Sequence, residues 1–375
     1  MKALWLFLLV ACNSNAAPPA GTPPARGSNQ SGSAAPLITA ASTGSELYAA
    51  LCAKCHAENL QGGAADHAPS LITTTFLETA TDDFLHQSIA RGRPGTSMAA
   101  YSKGLGGPLE PAAIQRIVKF IRERGNVPAK APMQSSVVGD AKLGAAIYDA
   151  SCKVCHGDRS FRGEGIHLAN PVFLEQASDP FMRHAIMHGR PGTKMMAFGN
   201  TLNEKQISDV IAYVRTFAVT AAPKVAQLPP PTGKEPLVIF PGGKQPDWKP
   251  RENRYVPVDV VKKAYDEKRA FILIDARPPS DWMRARITGA VSIPYHDLKR
   301  LAEIPKDTWV IAYCACPHHL SGDVVDALKK MGHTKAAILD EGINDWHRKG
   351  YPMTAAEGVE KPALEPAHDH NHHPH

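Results

Sequence analysis

Two short segments carry the most evident chemistry: Cys52-Ala-Lys-Cys55-His56 and Cys152-Lys-Val-Cys155-His156, starting 100 residues apart. Two thiols three positions apart lie on one helical turn, where they can add to the two vinyl groups of a haem as thioethers. The histidine beside them then meets the iron, and a methionine sulfur from later in the chain can take the opposite face. Each motif is followed by Gly-Arg-Pro-Gly-Thr-x-Met, ending at Met98 and at Met195. The residues read as two covalently bound haem c groups. Cys52, Cys55, Cys152 and Cys155 form the thioethers, and His56, Met98, His156 and Met195 ligate iron. Met196 offers a second sulfur one residue late for the repeat. A thioredoxin-type redox pair would need a βαβ setting, and a zinc site would need further cysteines nearby; neither accompanies these motifs. His67, His86, His167, His184 and His188 are ligands in principle but read mainly as surface residues. A six-coordinate iron has no open position for substrate, so these sites should move electrons, at relatively high potential.

The elements that must position these groups recur as well. Gly44-Ser-Glu-Leu-Tyr48 matches Gly144-Ala-Ala-Ile-Tyr148 ahead of the two motifs. Ile114, Ile117, Val118 and Ile121 match Ile207, Val210, Ile211 and Val214, the apolar stripe of one amphipathic helix in each copy. Glu110-Pro111 and Asn203-Glu204 supply helix starts. The copies occupy residues 44–126 and 140–219. First helix with attachment motif, loop, and final amphipathic helix: this order resembles class I cytochrome c. The resemblance implies an all-α fold in each copy and a proline carbonyl holding the proximal histidine, with Ala68-Pro69 and Asn170-Pro171 as the matching places. Copies this small bury little apolar surface alone, so a haem would complete each core and the chain without it should fold poorly.

Residues 220–255 are proline-rich and read as a semi-rigid spacer. From 256 to 356 the texture changes to short apolar runs, Phe271–Asp275 and Trp309–Tyr313, alternating with helical stretches such as 323–331, the pattern of an α/β domain with a parallel sheet. Leu273-Ile-Asp275-Ala-Arg277 with Asp281-Trp282, Gly289-Ala-Val-Ser-Ile-Pro294, Ile311-Ala-Tyr-Cys314, and Leu339-Asp-Glu-Gly342 through Trp346 and Pro352 resemble rhodanese-like domains. The resemblance implies a thiolate at a strand end, cradled by backbone N–H groups and able to hold a persulfide. Cys314 is the natural candidate. The loop Cys314-Ala-Cys316-Pro-His-His-Leu-Ser321 departs from the family pattern, lacking its arginine and off by about one residue. Cys316 therefore stands as a resolving thiol or as the reactive one, and His318 or His319 would supply any positive charge. The loop admits three uses: sulfur transfer, docking without catalysis, or a soft-metal site built from Cys314, Cys316, His318 and His319.

The remaining features bound the setting. The 375 residues suffice for two or three domains, and a net charge of +6 is too small for this length to suggest nucleic acid. No cysteine pairs remain for a disulfide framework. Lys2, the apolar run from Leu4 to Val10, and Leu9-Val10-Ala11-Cys12 resemble a bacterial lipoprotein signal, with residues 1–11 removed and lipid carried on Cys12. Residues 12–43, rich in Pro, Gly, Ser and Ala, read as a flexible tether, and 357–375 as a histidine-rich tail. Asn13 slightly favours the outer membrane. The expectation is a periplasmic, membrane-anchored dihaem electron carrier, with two all-α cytochrome c domains and an α/β rhodanese-like domain. Its partners would be a redox donor and a redox acceptor, with thiosulfate or polysulfide as sulfur compounds. Two other roles remain open: a sulfur-oxidising enzyme using the haems as electron exit, and a docking scaffold.

Overall fold

The computed structural model describes residues 38–63, 67–130, 134–218, 227–315 and 318–364. The leader with Cys12, Cys316 and residues 365–375 of the histidine-rich tail lie outside the described residues.

The first copy is helical: α1 (Gly44–Leu51), α2 (Ala53–His56), α3 (Thr74–Leu77), α4 (Asp82–Arg91) and α5 (Pro111–Gly125). The second repeats it with α6 (Ala141–Ser151), α7 (Lys153–His156), α8 (Pro171–Gln176), α9 (Asp179–His188) and α10 (Glu204–Arg215). Thr43 caps α1 in a capping box with Glu46, and Asn203 caps α10 in another with Gln206. The expected stripes are buried in both final helices. First and last helices cross closely because a glycine sits at each crossing. A Cβ on Gly44 would come within 2.1 Å of the Arg116 carbonyl, and one on Gly144 within 2.0 Å of the Asp209 carbonyl.

The copies pack face to face with near-reciprocal contacts. Phe84 of α4 stacks on Phe181 of α9 at 4.9 Å between centroids. Thr75 donates to the Gly189 carbonyl at 2.7 Å, and Asn170 donates to the Pro94 carbonyl at 2.9 Å. Arg91 grips Glu175 with two bonds of 2.6 and 2.7 Å. His184, read from sequence as a surface residue, is largely buried here, its Nε2 2.9 Å from a Glu78 oxygen. Glu78 is shared with Lys130, whose hydrogen bond, with that of His184, holds the carboxyl below its usual range despite burial. Burial lowers the pKa of His184, so the neutral imidazole donates to an ionised carboxylate.

The third domain contains β1 (Val238–Ile239), β2 (Tyr255–Val256), α11 (Val258–Asp266), β3 (Phe271–Asp275), α12 (Pro279–Trp282), β4 (Ala285–Ile287) and β5 (Val291–Ser292). It continues through β6 (Val310–Tyr313), α13 (His319–Lys330), β7 (Ala336–Leu339), α14 (Gly342–Arg348) and β8 (Met353–Ala355). The main sheet runs β1-β3-β6-β7-β2, with β5 also pairing β3; β4 and β8 form a separate antiparallel ribbon. All pairings in the main sheet are parallel except β1 with β3, so the sheet is mostly parallel rather than wholly so. The proline-rich stretch is not a spacer throughout. Its second half supplies the edge strand β1 and buries Trp248 against Phe271 of β3 and Trp309, just ahead of β6, whose two aromatic rings offer an apolar seat.

Candidate haem sites and sulfur-handling loop

Each attachment motif forms a tight turn between two helices. Cys52 ends α1 and starts α2; Cys152 does the same for α6 and α7, with nearly equal backbone angles. The amides of Cys55 and His56 both bond the Cys52 carbonyl, and those of Cys155 and His156 bond the Cys152 carbonyl. The two thiols of each motif thus share one turn. Burial pushes the Cys52 thiol up to about 12 and the Cys152 thiol up to about 11, so both are held as neutral thiols.

His56 Nδ1 lies 3.0 Å from the Pro69 carbonyl, as expected from sequence. A carbonyl takes only a hydrogen, which assigns the proton to Nδ1 and the lone pair to Nε2, the form in which imidazole binds iron. In the second copy the partner is not Pro171 but the Ile166 carbonyl, 2.9 Å from His156 Nδ1. Pro171 is the first residue of α8 and its place is that of Thr74, the first residue of α3. Counted back from those helix starts (74 to 69, 171 to 166), Ile166 is the true counterpart of Pro69. Burial lowers the His156 pKa and outweighs the opposing effect of that hydrogen bond, so the ring stays neutral and able to ligate.

The two methionine loops are superposable in their bonding. Arg93 N donates to Met98 O at 2.7 Å and Arg190 N to Met195 O at 2.8 Å; Thr96 and Thr193 each donate from the hydroxyl to the arginine carbonyl at 2.7 Å. Met98 and Met195 are half-buried, whereas Met196 is 67% exposed. Arg93 lies over the ring of Phe84, and Arg190 over those of Phe76 and Phe181. The residues present fit a covalent haem in each copy: two thiols, an oriented imidazole nitrogen and a thioether on a fixed loop. Sequence reasoning missed two clamps. Arg122 bonds the carbonyls of Leu77 and Ala80 and the carboxylate of Asp82; Arg215 does the same to Leu174, Ala177 and Asp179. The signal was one arginine near the end of each final helix.

In the α/β domain, Cys314 follows β6 directly and is 1% exposed. Its sulfur lies 3.3 Å from the Ser321 hydroxyl, and its carbonyl accepts from Ile343 N at 3.0 Å. Gly342, at φ 66°, passes so close that a Cβ would stand 2.5 Å from that carbonyl. His318 starts α13 in the left-handed region at φ 77°, with its Nε2 bonded to the Asp340 carbonyl and 3.2 Å from the Asp340 carboxylate. Its ring packs on Tyr255 at 4.7 Å, and Arg251 holds Asp340 from the other side at 3.0 Å. Burial works against the charged imidazole, but the Asp340 bonds outweigh it and raise the His318 pKa. The motif residues Asp275 and Arg277 are structural: the buried guanidinium spans both Asp275 oxygens and the Ala285 carbonyl, and Tyr313 donates to Asp275 at 3.0 Å. Among the described residues no three His, Cys, Asp or Glu side chains converge as a metal site.

This loop lies against the first haem motif. Ser97, beside Met98, donates to the carbonyl of Ala315, beside Cys314, at 2.9 Å. Tyr101 and Tyr295 both donate to the Leu51 carbonyl at 3.1 Å, one residue before Cys52. Lys54, between the two cysteines, pairs with Asp323 of α13 at 2.7 Å, and Ser280 donates to the Ala100 carbonyl at 2.6 Å. The second copy carries Val154, Lys194 and Phe198 where the first has Lys54, Ser97 and Tyr101. Tyr101 and Phe198 correspond by bonding, their amides donating to Ile89 and Ile186.

The family model described as cytochrome c oxidase, cbb3-type, subunit III matches twice, over residues 39–121 and 139–214, and the rhodanese-like domain model matches residues 257–349. The cbb3-type cytochrome c oxidase subunit FixP of Bradyrhizobium sp. (strain ORS 278) is 25% identical over 191 residues, 48% of this chain and 62% of that protein. A sulfurtransferase of Allochromatium vinosum is 34% identical over 88 residues, 23% of this chain and 81% of that protein. A rhodanese-related protein from Thermoplasma volcanium, solved by crystallography, aligns at 22% identity over 27% of this chain and 97% of its own, with a TM-score of 0.25. The chain spans about three fifths of the FixP subunits it matches. Through its C-terminal domain the chain belongs to the rhodanese-like family, and ahead of it stand two cbb3-type cytochrome c domains. Cytochrome c domains carry haem c and pass electrons between redox partners.

Proposed function

We propose that this chain is an exported, lipid-anchored carrier of two haem c groups that relays single electrons in a bacterial periplasm. Its rhodanese-like domain handles sulfane sulfur, such as that of thiosulfate or polysulfide, through Cys314. The observation that carries the reading is the pair of oriented histidines, His56 and His156, each followed by an identically bonded methionine loop. Each haem, when bound, supplies a one-electron iron couple. The chain's own residues do the rest. Cys52, Cys55, Cys152 and Cys155 anchor the macrocycles; the Pro69 and Ile166 carbonyls fix the imidazole tautomers; Met98 and Met195 supply sulfur. Cys314, with Ser321 beside it, receives the sulfur atom. The apolar leader and Cys12 support export and lipid attachment to the membrane, with the outer membrane favoured by Asn13. A protein donor and a protein acceptor of electrons complete the relay.

Intact mass of the mature protein is expected to exceed the polypeptide by two haems, with a further lipid increment lost in Cys12→Ala. Met98→Ala and Met195→Ala should each abolish one thioether-to-iron charge-transfer band, while Met196→Ala leaves the spectrum unchanged. A mature chain with no added haem mass refutes the proposal.

A further inference from the structure

Resting on the function just proposed, we infer that Cys314 is an entry point for electrons as well as for sulfur. Its substrate class is sulfide, and the first cytochrome domain is the immediate electron exit. The observation is the docking of the sulfur loop on the first haem motif: Ser97 to Ala315, Lys54 to Asp323, and Tyr101 with Tyr295 on Leu51. The residue ahead of Met98 and the residue after Cys314 are hydrogen-bonded to one another. None of the three matching residues of the second copy, Val154, Lys194 and Phe198, presents the donor that the first copy uses.

The chemistry selects the substrate. Transfer of sulfane sulfur from thiosulfate to a thiolate releases sulfite and leaves no electrons over, so a haem beside the loop would gain nothing from it. Hydrogen sulfide does release electrons. One S–S bond forms between the Cys314 sulfur and the sulfide sulfur, the S–H bond of hydrogen sulfide breaks, and its proton goes to solvent. Thiolate plus hydrogen sulfide anion gives persulfide anion, one proton and two electrons. Two ferric haems of the c type, taking one electron each, are the oxidant that balances the step.

The test uses the full holoprotein, oxidised and without oxygen, mixed with sodium hydrosulfide. Haem oxidation state is read by absorbance and Cys314 by peptide mass. The expected result is two haems reduced for each sulfur atom gained by Cys314. Haem reduction should slow about ten-fold or more in Cys314→Ser. The triple variant Lys54→Val, Ser97→Lys, Tyr101→Phe, which gives the first copy the residues of the second, should slow haem reduction and sulfur gain on Cys314 together, with two haems still reduced for each sulfur atom gained. Unchanged reduction in Cys314→Ser overturns the inference, as does sulfur gain in the native protein without haem reduction; in both cases the relay and sulfur-handling function survives. A protein lacking haem fails the earlier proposal itself.

Discussion

His318 and Asp340 show how single residues tie sulfur chemistry to stability. The His318 pKa is raised, so its contribution is fully present below the ordinary imidazole range and fades as pH rises through the raised value. Asp340 is the opposite case: burial would raise it, but bonds from His318 and Arg251 hold its carboxyl below the usual range. Its contribution is present above the ordinary carboxylate range and is lost as pH falls through the lowered value. Thermal unfolding of the rhodanese-like domain should therefore be most resistant between those limits. Asp340→Asn should flatten both limbs of the profile, and an unchanged profile in that variant would contradict the pairing. Arg277 acts at the same scale without titrating. Arg277→Leu leaves the Asp275 carboxylate buried without its partner and should cost about 3–5 kcal/mol in urea unfolding.

At the scale of elements, much of the fold was legible. Apolar residues at helical spacing identified α5 and α10, and the runs at Phe271 and Val310 identified two adjacent parallel strands, because a buried face leaves a periodic trace. What stayed hidden depends on register between elements. Two prolines at similar distances from the motifs suggested equivalent acceptors, yet loop length shifts Pro171 onto a helix start and Ile166 into the acceptor's place. The helix after Cys314 begins at His319, four residues before the sequence-derived start, because a left-handed His318 turns the chain into it. The arginine clamps were invisible for a related reason: a guanidinium bonding carbonyls some forty residues away has no local pattern. Arg215→Ala should destabilise the second copy by about 1.5–3 kcal/mol, since it removes charge-assisted bonds from Leu174, Ala177 and Asp179 together. Differential melting of the two haem sites would read that asymmetry.

For the whole molecule, the sequence named three domains but not their contacts. Hydrogen bonds such as Ser97 to Ala315 join residues 218 positions apart, and nothing in composition or spacing announces them. The joint between the cytochrome domains rests on the Phe84–Phe181 stack and its rim of polar bonds. Phe181→Ala should cost about 3–5 kcal/mol and split one unfolding transition into two, observable by calorimetry. A single transition persisting in that variant would place the cooperativity elsewhere.

The divergence at Lys54, Ser97 and Tyr101 from Val154, Lys194 and Phe198 has a consequence for ancestry and engineering alike. Tandem duplicates begin as interchangeable parts, and these are so no longer: the first seats the sulfur loop, while the second bonds Leu364 of the C-terminal segment. Transposing the copies along the chain would set the sulfur loop against valine, lysine and phenylalanine in place of the lysine, serine hydroxyl and tyrosine hydroxyl that now meet Asp323, Ala315 and Leu51. The molecule has acquired a direction.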